Sequence, residues 1–315
     1  MKNKHANNIR YSIIVLLEED NDGFADYICS LDKIFSDAEG SYEIIIIANG
    51  KEAALRQELP EIRIQGKLKA FSLNKKAPQA VCLSSGFKES CGEIIMVCGS
   101  YQQLTHNAIK HLLTFLDKET DIISPWRQNR VDSKFSQLQS KVFNMMTQKI
   151  ANTDLKDLSC IVKIFRRRVL EETELYGNMY RFLPVIAAKK GFKTKEVPCE
   201  HYQERGKQGL YSPTEYFGRI VDIFTLFFHT RFVKKPLRFF SILGSIFIFL
   251  GSSALVYAFF QKLFFDYPIG GRPVLLMALL CVVFGIQLAS TGLLGEIIAF
   301  THGRARKEYN IDKII

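Results

Sequence analysis

The chain has 315 residues, 47% of them hydrophobic, and a formal net charge of +10. Its basic residues are spread along the chain and crowd beside two apolar runs near the C-terminus, which favours a membrane surface over nucleic acid as the partner of that charge. The seven cysteines are an odd number without a CxxC pair. Their spacing excludes a disulfide framework and indicates a reduced cytosolic compartment.

Five short apolar runs follow one another in the first half of the chain, with helical stretches between several of them. They are Tyr11 to Leu17, Tyr42 to Ile47, Leu68 to Leu73, Glu93 to Cys98 and Asp121 to Ser124. Short strands that alternate with helices are typical of a mainly parallel sheet covered on both faces. Residues 1–210 are therefore predicted to form a doubly wound α/β domain.

Two helices can be predicted between and after these runs, one before the fourth run and one after the fifth. Pro78 suits the first turn of a helix that extends to Ser90, just before the fourth strand. After the fifth run, apolar residues recur at helical spacing and predict one stripe packed in the core. The members of this stripe are Phe135, Leu138, Val142, Met145 or Met146, and Ile150.

A phenylalanine-rich segment at residues 211–238 is predicted to form an amphipathic helix followed by a basic linker. Ser212-Pro213-Thr214-Glu215 has the form of a capping box with proline at the first helical position. The helix runs into the basic residues 231–238, which is typical of a segment lying on a bilayer surface. A helix packed on the sheet remains the alternative.

Two apolar runs, Phe239 to Phe260 and Val274 to Leu294, contain no Asp, Glu, Lys or Arg. Each is long enough to cross a hydrocarbon layer of about 30 Å as a helix. The basic residues of both outer flanks predict a hairpin at residues 239–300, with both termini and the basic tail 301–315 in the cytosol. The location expected is the inner membrane, and the alternative is a pair of buried core helices in a soluble protein.

Small residues in both spans, among them Gly244 and Gly285, allow close helix packing. The hairpin is therefore expected to pack on itself or on a second copy of the chain, which leaves a homo-oligomer open. Glu296 lies at the cytosolic end of the second span and is interpreted as a structural anchor.

Several local segments occur in a fixed order along the chain. They are 126–132, 157–160 leading to 165–167, 176–177 with 180–184, 191–192 before 196–198, the basic segment 201–207, and the loop 267–273. Together with the predicted architecture, this order resembles the family 2 glycosyltransferases that act on polyprenyl phosphates, such as dolichyl-phosphate mannose synthases. The resemblance covers nearly the whole chain. It implies a GT-A-like fold, a nucleotide-sugar donor and a polyprenyl phosphate acceptor at the cytosolic face.

The chain departs from this family where the donor should bind. An Asp-Asp-Gly-Ser turn is usual after the second strand, and this chain has Ala48-Asn49-Gly50-Lys51. An Asp-x-Asp motif that holds Mg²⁺ or Mn²⁺ is usual after the fourth strand, where this chain has Cys98, Gly99 and Ser100. Such cations prefer carboxylate oxygens, so no metal ligand is predicted.

The candidate site residues follow from this comparison. The donor is expected to contact Asn49, Gly50, Lys51, Ser100 and Gln102, the catalytic residues are expected to be Asp157, Arg127 and Arg130, and the acceptor phosphate is expected to bind Lys163, Arg205 and Lys207. Lys75 and Lys76 are further cations that could stabilise the charge of a diphosphate. Two hypotheses remain: a sugar transferase, or a catalytically inactive membrane scaffold or partner subunit.

Overall fold

The computed structural model describes residues 9–18, 23–116, 119–128, 140–141, 144–149, 153–173, 175, 177, 179–202, 221, 225, 236–265 and 273–303. These residues fall into two compact units, of which one comprises residues 1–226 with 309–315 and the other residues 227–308.

The first unit contains a sheet of seven strands in the order β3-β2-β1-β4-β6-β5-β7. The strands are β1 (Ile9–Leu17), β2 (Ser41–Asn49), β3 (Lys67–Leu73), β4 (Ile94–Gly99), β5 (Ile122–Gln128), β6 (Lys163–Arg166) and β7 (Thr194–Glu200). Only β6 runs antiparallel to its two neighbours, β4 and β5. The prediction of a mainly parallel sheet is confirmed, and the five apolar runs correspond to β1 to β5.

Helices cover both faces of this sheet. They are α1 (Phe24–Ser36), α2 (Glu52–Glu58), α3 (Gln79–Glu89), α4 (His106–Thr114), α5 (Arg167–Glu172) and α6 (Leu183–Lys189). Alternate residues of each strand point to opposite faces, so that Ile13 packs with α1 and α4 while Ile14 packs with α3 and α6. The doubly wound architecture is thereby confirmed.

The apolar stripe predicted after β5 is wrong at its two methionines. Residues 140–141 and 144–149 are helical, but Met145 and Met146 are 57% and 47% exposed. The side chains buried here are polar, because this helix supports a loop rather than a core. Asn144 Oδ1 accepts the N–H of Leu158 at 3.4 Å, and Gln148 donates to the carbonyl of Leu155 at 2.8 Å. Phe135, Leu138, Val142 and Ile150 lie outside the described residues.

The second unit is a helical hairpin of α7 (Pro236–Phe265) and α8 (Pro273–Gly303). Both helices are long and apolar enough to cross a membrane, with mean hydropathies of 2.1 and 2.3. Only 11% of the most apolar stretch of each helix is buried within the protein. Helices in a soluble core would be largely buried, so the exposed surface does not favour that alternative. Of the predicted interfacial helix, little apart from Val221 and Thr225 lies in the described residues.

Glycine allows α7 and α8 to approach closely. A Cβ atom on Gly244 would lie 2.6 Å from the carbonyl oxygen of Gly285, and one on Gly285 would lie 2.6 Å from that of Gly244. The expected packing of the hairpin on itself is observed at this crossing. Glu296 has a structural contact, since its Oε2 accepts the N–H of Leu237 in the first turn of α7 at 3.3 Å. A carboxylate at a helix N-terminus is favourable because the first N–H groups lack partners within the helix.

Candidate active site

The candidate site lies where the parallel strands end. The carboxyl ends of β1, β2 and β4 share one edge of the sheet, and β6 begins at this edge because it runs in the opposite direction. Open α/β sheets bind their ligands outside the carboxyl ends of the strands. Glu18, Asn49, Ser100 and Lys163 are thus brought to one edge from distant parts of the sequence.

Asn49, the last residue of β2, fastens the loop that precedes α3. Its Oδ1 accepts the N–H of Ala77 at 2.7 Å, and its Nδ2 donates to the carbonyl of the same residue at 2.8 Å. Both polar atoms of the amide are engaged, and the residue is 3% exposed. Glu18 completes this cluster by accepting from Gln79 at 2.7 Å and from Asn49 at 3.4 Å. Asn49 therefore supports the loop at this end of the sheet from within.

Gly50 makes a tight turn after β2. Its φ of +70° lies in the left-handed region, which favours glycine. A Cβ at this position would lie 3.3 Å from the backbone nitrogen of Lys76. The turn therefore brings the residue after it, Lys51, next to the segment that carries Lys75 and Lys76.

The three positions at the end of β4 do not provide a metal site. Cys98 is fully buried in the core beneath the sheet edge, and burial raises the pKa of its thiol to about 12. A Cβ on Gly99 would lie 3.3 Å from Cδ1 of Ile161, so an apolar side chain covers the middle position. Ser100 is 3% exposed. Among the described residues there is no group of three or more His, Cys, Asp or Glu side chains that could hold an ion.

The described part of the site therefore does not fit the divalent cation that the family resemblance implies. A hard cation requires several oxygen ligands, usually including carboxylates, and a protonated thiol is a poor substitute.

Arg127 and Asp157 form a buried ion pair at the end of β5. Arg127 Nε donates to Oδ2 of Asp157 at 2.8 Å, and Nη2 donates to Oδ1 at 3.3 Å. Ser159 joins them, since its hydroxyl donates to Oδ1 of Asp157 at 2.7 Å and accepts from Nη2 of Arg127 at 2.8 Å. The backbone N–H groups of Arg127 and Ser159 also donate to this carboxylate. Two of the predicted catalytic residues thus meet, as partners of one another.

Glu196 on β7 holds the loop in which Asp157 lies. Its Oε1 accepts the N–H of Lys156 at 2.6 Å and that of Asp157 at 3.0 Å. Burial raises the pKa of the Glu196 carboxyl above its ordinary value, although these two N–H groups oppose the shift. Lys156 also places its ammonium 4.0 Å from the centre of the Trp126 ring. The loop is therefore attached to both β5 and β7.

Lys163, at the start of β6, is fully buried. Its Nζ donates to the carbonyl of Cys160 and lies 5.4 Å from the centre of the Tyr180 ring. Burial lowers the pKa of this ammonium to about 8, because the charged form loses its hydration. The Tyr180 hydroxyl donates to the carbonyl of Ile161 at 2.7 Å. Both side chains support the segment that covers Gly99.

Gln102 and Gln103 differ in position. Gln102, the predicted donor contact, donates to the carbonyl of Leu104 at 2.9 Å. Gln103 is 3% exposed and accepts the N–H of Ile161 at 2.9 Å, so it connects the segment after β4 to the segment before β6. Sequence analysis missed this residue, as it missed Glu18 and Gln79, because their partners are distant in sequence. Ser159, Tyr180 and Glu196 lie in segments that carry the family resemblance, but no role was predicted for them.

Three predicted site residues, Arg130, Arg205 and Lys207, lie outside the described residues. Their part in the site stays a prediction.

Comparison with known proteins identifies the family. The model of glycosyl transferase family 2 matches residues 14–173, just over half of the chain. The chain belongs to glycosyl transferase family 2. This match confirms the family resemblance and the expectation of a glycosyltransferase.

The relatives extend over nearly the whole chain. The chain is 26% identical over 269 residues to a dodecaprenyl-phosphate galacturonate synthase of Rhizobium johnstonii, covering 84% of this chain and 80% of that protein. It is 25% identical over 311 residues to an undecaprenyl-phosphate 4-deoxy-4-formamido-L-arabinose transferase of Klebsiella pneumoniae, covering 97% and 94%.

A solved structure confirms the GT-A-like fold of this family 2 chain. The glucosyl-3-phosphoglycerate synthase of Mycobacterium tuberculosis, in complex with Mn²⁺, UDP-glucose and phosphoglyceric acid, superposes with a TM-score of 0.52 at 9% identity. The superposition covers 70% of this chain and 79% of that chain.

Proposed function

We propose that this protein transfers a sugar from a nucleotide-activated donor to a polyprenyl phosphate at a membrane. The observation that carries the proposal is the extent of the likeness to the two relatives, whose names each contain a polyprenyl phosphate and a sugar. The likeness to the Klebsiella pneumoniae protein spans 97% of this chain, well beyond residues 14–173. Such a span includes the apolar helices α7 and α8 as well as the sheet.

The helical hairpin is a second observation that supports the proposal of a lipid acceptor. Its two helices have the length and hydropathy of membrane spans, and their surface is largely exposed. A protein held at a bilayer encounters a lipid-linked phosphate at high local concentration, which lowers the entropic cost of bringing the reactants together. We propose that both termini and the sheet lie on the cytosolic side of the inner membrane, as the basic flanks predict.

The proposed reaction forms one bond and breaks one. An oxygen of the acceptor phosphate attacks the anomeric carbon of the sugar, and the bond from this carbon to the diphosphate oxygen breaks. The nucleoside diphosphate leaves with the bonding electron pair. Because a phosphate monoester has a second pKa of about 6, the attacking oxygen is already deprotonated at neutral pH. No side chain is required to remove a proton.

The geometry of Asp157 agrees with a reaction that needs no general base. The carboxylate is 2% exposed and accepts hydrogen bonds from Arg127 and Ser159. We propose that Asp157 orients Arg127 and the loop 155–161, and that Lys163 supports the same loop from beneath. Ser100, Gly50 and Lys51 border the donor, while Arg130, Arg205 and Lys207 remain candidates for phosphate contacts.

The test is transfer by the full chain reconstituted in lipid nanodiscs. Undecaprenyl phosphate is supplied together with UDP-, GDP-, CDP- and dTDP-sugars, including uronic acid and amino-sugar donors, and lipid-linked products are detected by mass spectrometry. We expect a product of polyprenyl phosphate plus one sugar, with release of the nucleoside diphosphate. Heat-denatured protein in the same nanodiscs is the control. Absence of product with every donor would count against the proposal.

The second candidate is a catalytically inactive membrane scaffold or partner subunit. The observation that favours it is the replacement of the expected acids by Cys98, Gly99 and Ser100. This candidate predicts no transfer in the same assay. It also predicts that no nucleoside diphosphate stabilises the fold, because a ligand raises stability only when it binds the folded state.

A further inference from the structure

Three lysines lie in the two segments that meet at the turn after β2. Lys51 begins α2 as its N-cap, and Lys75 and Lys76 lie between β3 and α3. The two segments are fixed to one another, because Asn49 binds both backbone groups of Ala77 and Gly50 packs against Lys76. We call Lys51, Lys75 and Lys76 the lysine cluster.

The cluster lies at the edge where donors bind in open α/β sheets. Lys75 and Lys76 are exposed and Lys51 is half-buried. Lysine is a flexible point charge with three donors, and it binds phosphate well. Two or more ammonium groups beside a diphosphate can replace the charge that a divalent cation would otherwise supply.

Other cations of the described site are less suited to this role. Arg127 is 5% exposed and paired with Asp157, and Lys163 is fully buried under the loop that contains Ile161. The end of β4, with the residue after it, offers a buried thiol, a glycine covered by Ile161, and a hydroxyl. The donor edge therefore contains exposed ammonium groups and lacks, among the described residues, a set of oxygen ligands for a metal ion.

We propose that this protein binds the diphosphate of its donor on the lysine cluster and needs no divalent cation to do so. The inference rests on the proposed function for the identity of the donor. It differs from the metal-dependent chemistry that the resemblance to the family implies, and its physical basis is the chemistry of residues 98–100 and the position of Lys51, Lys75 and Lys76.

The experiment measures nucleotide binding, which requires no lipid acceptor. UDP, GDP, CDP and dTDP are titrated into the full chain by calorimetry, first with EDTA and then with Mg²⁺ or Mn²⁺. We expect at least one nucleoside diphosphate to bind in EDTA with a Kd that Mg²⁺ and Mn²⁺ change by less than about twofold. Binding should weaken with rising salt, because the contacts are ionic.

Substitutions test whether nucleotide binding depends on the lysine cluster or on the general positive charge of the protein. Replacing Lys75 and Lys76 together by Gln should weaken binding at least about tenfold, the loss expected for charge-assisted contacts to phosphate. Lys51→Gln should weaken it to a smaller extent. The matched control is Lys88→Gln, since Lys88 is exposed at the far end of α3. Thermal melting of each variant without ligand establishes that its fold is intact.

Three results would overturn the inference: binding that is lost in EDTA and restored by Mn²⁺, cluster variants that bind as Lys88→Gln does, or no binding of any nucleoside diphosphate. Failure of the proposed function alone, with the inference still standing, has a different signature. In that case a nucleotide binds without metal, but nanodiscs with polyprenyl phosphate yield no lipid-linked sugar.

Discussion

Arg127 and Asp157 lie at the centre of a buried network in which the carboxylate accepts hydrogen bonds from the Arg127 guanidinium and from the hydroxyl and N–H of Ser159. The distance from Nε to Oδ2 is 2.8 Å, and the two side chains are each 3% exposed. Because water cannot hydrate either side chain, the charge of each residue is stabilised mainly by the opposite charge of the other. The pair therefore ties the end of β5 to the loop that runs towards β6.

We first predict that Asp157→Asn strongly destabilises the protein. The substitution leaves the Arg127 guanidinium buried without its countercharge, and such a loss costs about 3–5 kcal/mol of unfolding free energy. Thermal melting and denaturant unfolding of the detergent-solubilised chain measure it. The control is Glu52→Gln, which breaks an exposed pair with Arg56 and should cost less than about 1 kcal/mol. Equal effects of the two substitutions would contradict the buried pairing.

We next predict that Lys163 makes stability rise with pH in the alkaline range. Burial lowers its folded pKa to about 8 from an ordinary 10.5. Between these values the unfolded chain binds more protons than the folded chain, so stability increases from about pH 8 to about pH 10.5. Relative to Lys163→Met, the wild type should gain up to about 3 kcal/mol across this window. Comparison of the two unfolding curves cancels other groups that titrate there.

The Lys163→Met comparison has a built-in check. Below about pH 8 both folded and unfolded wild type carry a protonated Lys163, so the difference between the two proteins should be constant there. Parallel curves over the whole range would show that Lys163 does not titrate with a lowered pKa.

A third prediction concerns Glu43, far from the candidate site at the other end of the sheet. Burial disfavours its charge, but the Lys69 ammonium at 2.8 Å, the N–H of Cys91 and the Ser12 hydroxyl hold its pKa below the usual 4.5. The folded state thus gains stability above pH 4.5 and loses it as pH falls through the folded pKa. Glu43→Gln should be less stable than wild type at pH 7, with a difference that shrinks below pH 4.5.

The control for Glu43→Gln is Glu61→Gln, an exposed glutamate. This variant should unfold as wild type does at both pH values. Nucleotide binding by Glu43→Gln should be unchanged in the folded protein, because Glu43 lies near the amino end of β2 and Asn49 at its carboxyl end. Weakened binding by the folded variant would contradict that separation.

A fourth prediction concerns the hairpin. Gly285→Leu places atoms where the carbonyl oxygen of Gly244 lies, and this overpacking should cost about 1–3 kcal/mol of helix association. The rings of Phe247 and Phe284 lie 5.1 Å apart, one on each helix. The measurement uses a chain in which both are replaced by Cys and Cys281 by Ser. The rate of disulfide formation between the two introduced cysteines reports how closely the helices approach. We expect Gly285→Leu to slow this reaction. Leu280→Phe, at a position that is 53% exposed, should leave its rate unchanged.

The fold was largely readable from the sequence, with two exceptions. β1, β2 and β4 are continuous apolar runs in the sequence because these parallel strands are buried on both faces. β3 lies at the end of the strand order and is only partly buried. β6 is only four residues long. In β7 only Val197 and Cys199 are buried, and charged residues stand on both sides of them. Neither strand therefore has an apolar run that can be distinguished from its surroundings.

The site was readable only in part. The departure from the family at Cys98, Gly99 and Ser100 is a property of the sequence and needs no coordinates. The roles of Asn49 and Asp157 were not readable, because their partners Ala77 and Arg127 are 28 and 30 residues away along the chain. A side chain that could contact a ligand and one that fastens a loop have the same sequence signature.

The sequence by itself determined that this protein is an α/β glycosyltransferase with two apolar C-terminal helices, because strand periodicity, apolar length and motif order are local properties of the chain. Only the tertiary structure decided that Arg127 and Asp157 neutralise one another and that Lys163 is buried. It also decided that Lys51 lies beside the segment with Lys75 and Lys76. Burial and pairing arise when distant segments meet at a sheet edge, and these two conditions determine which charges remain exposed to a ligand.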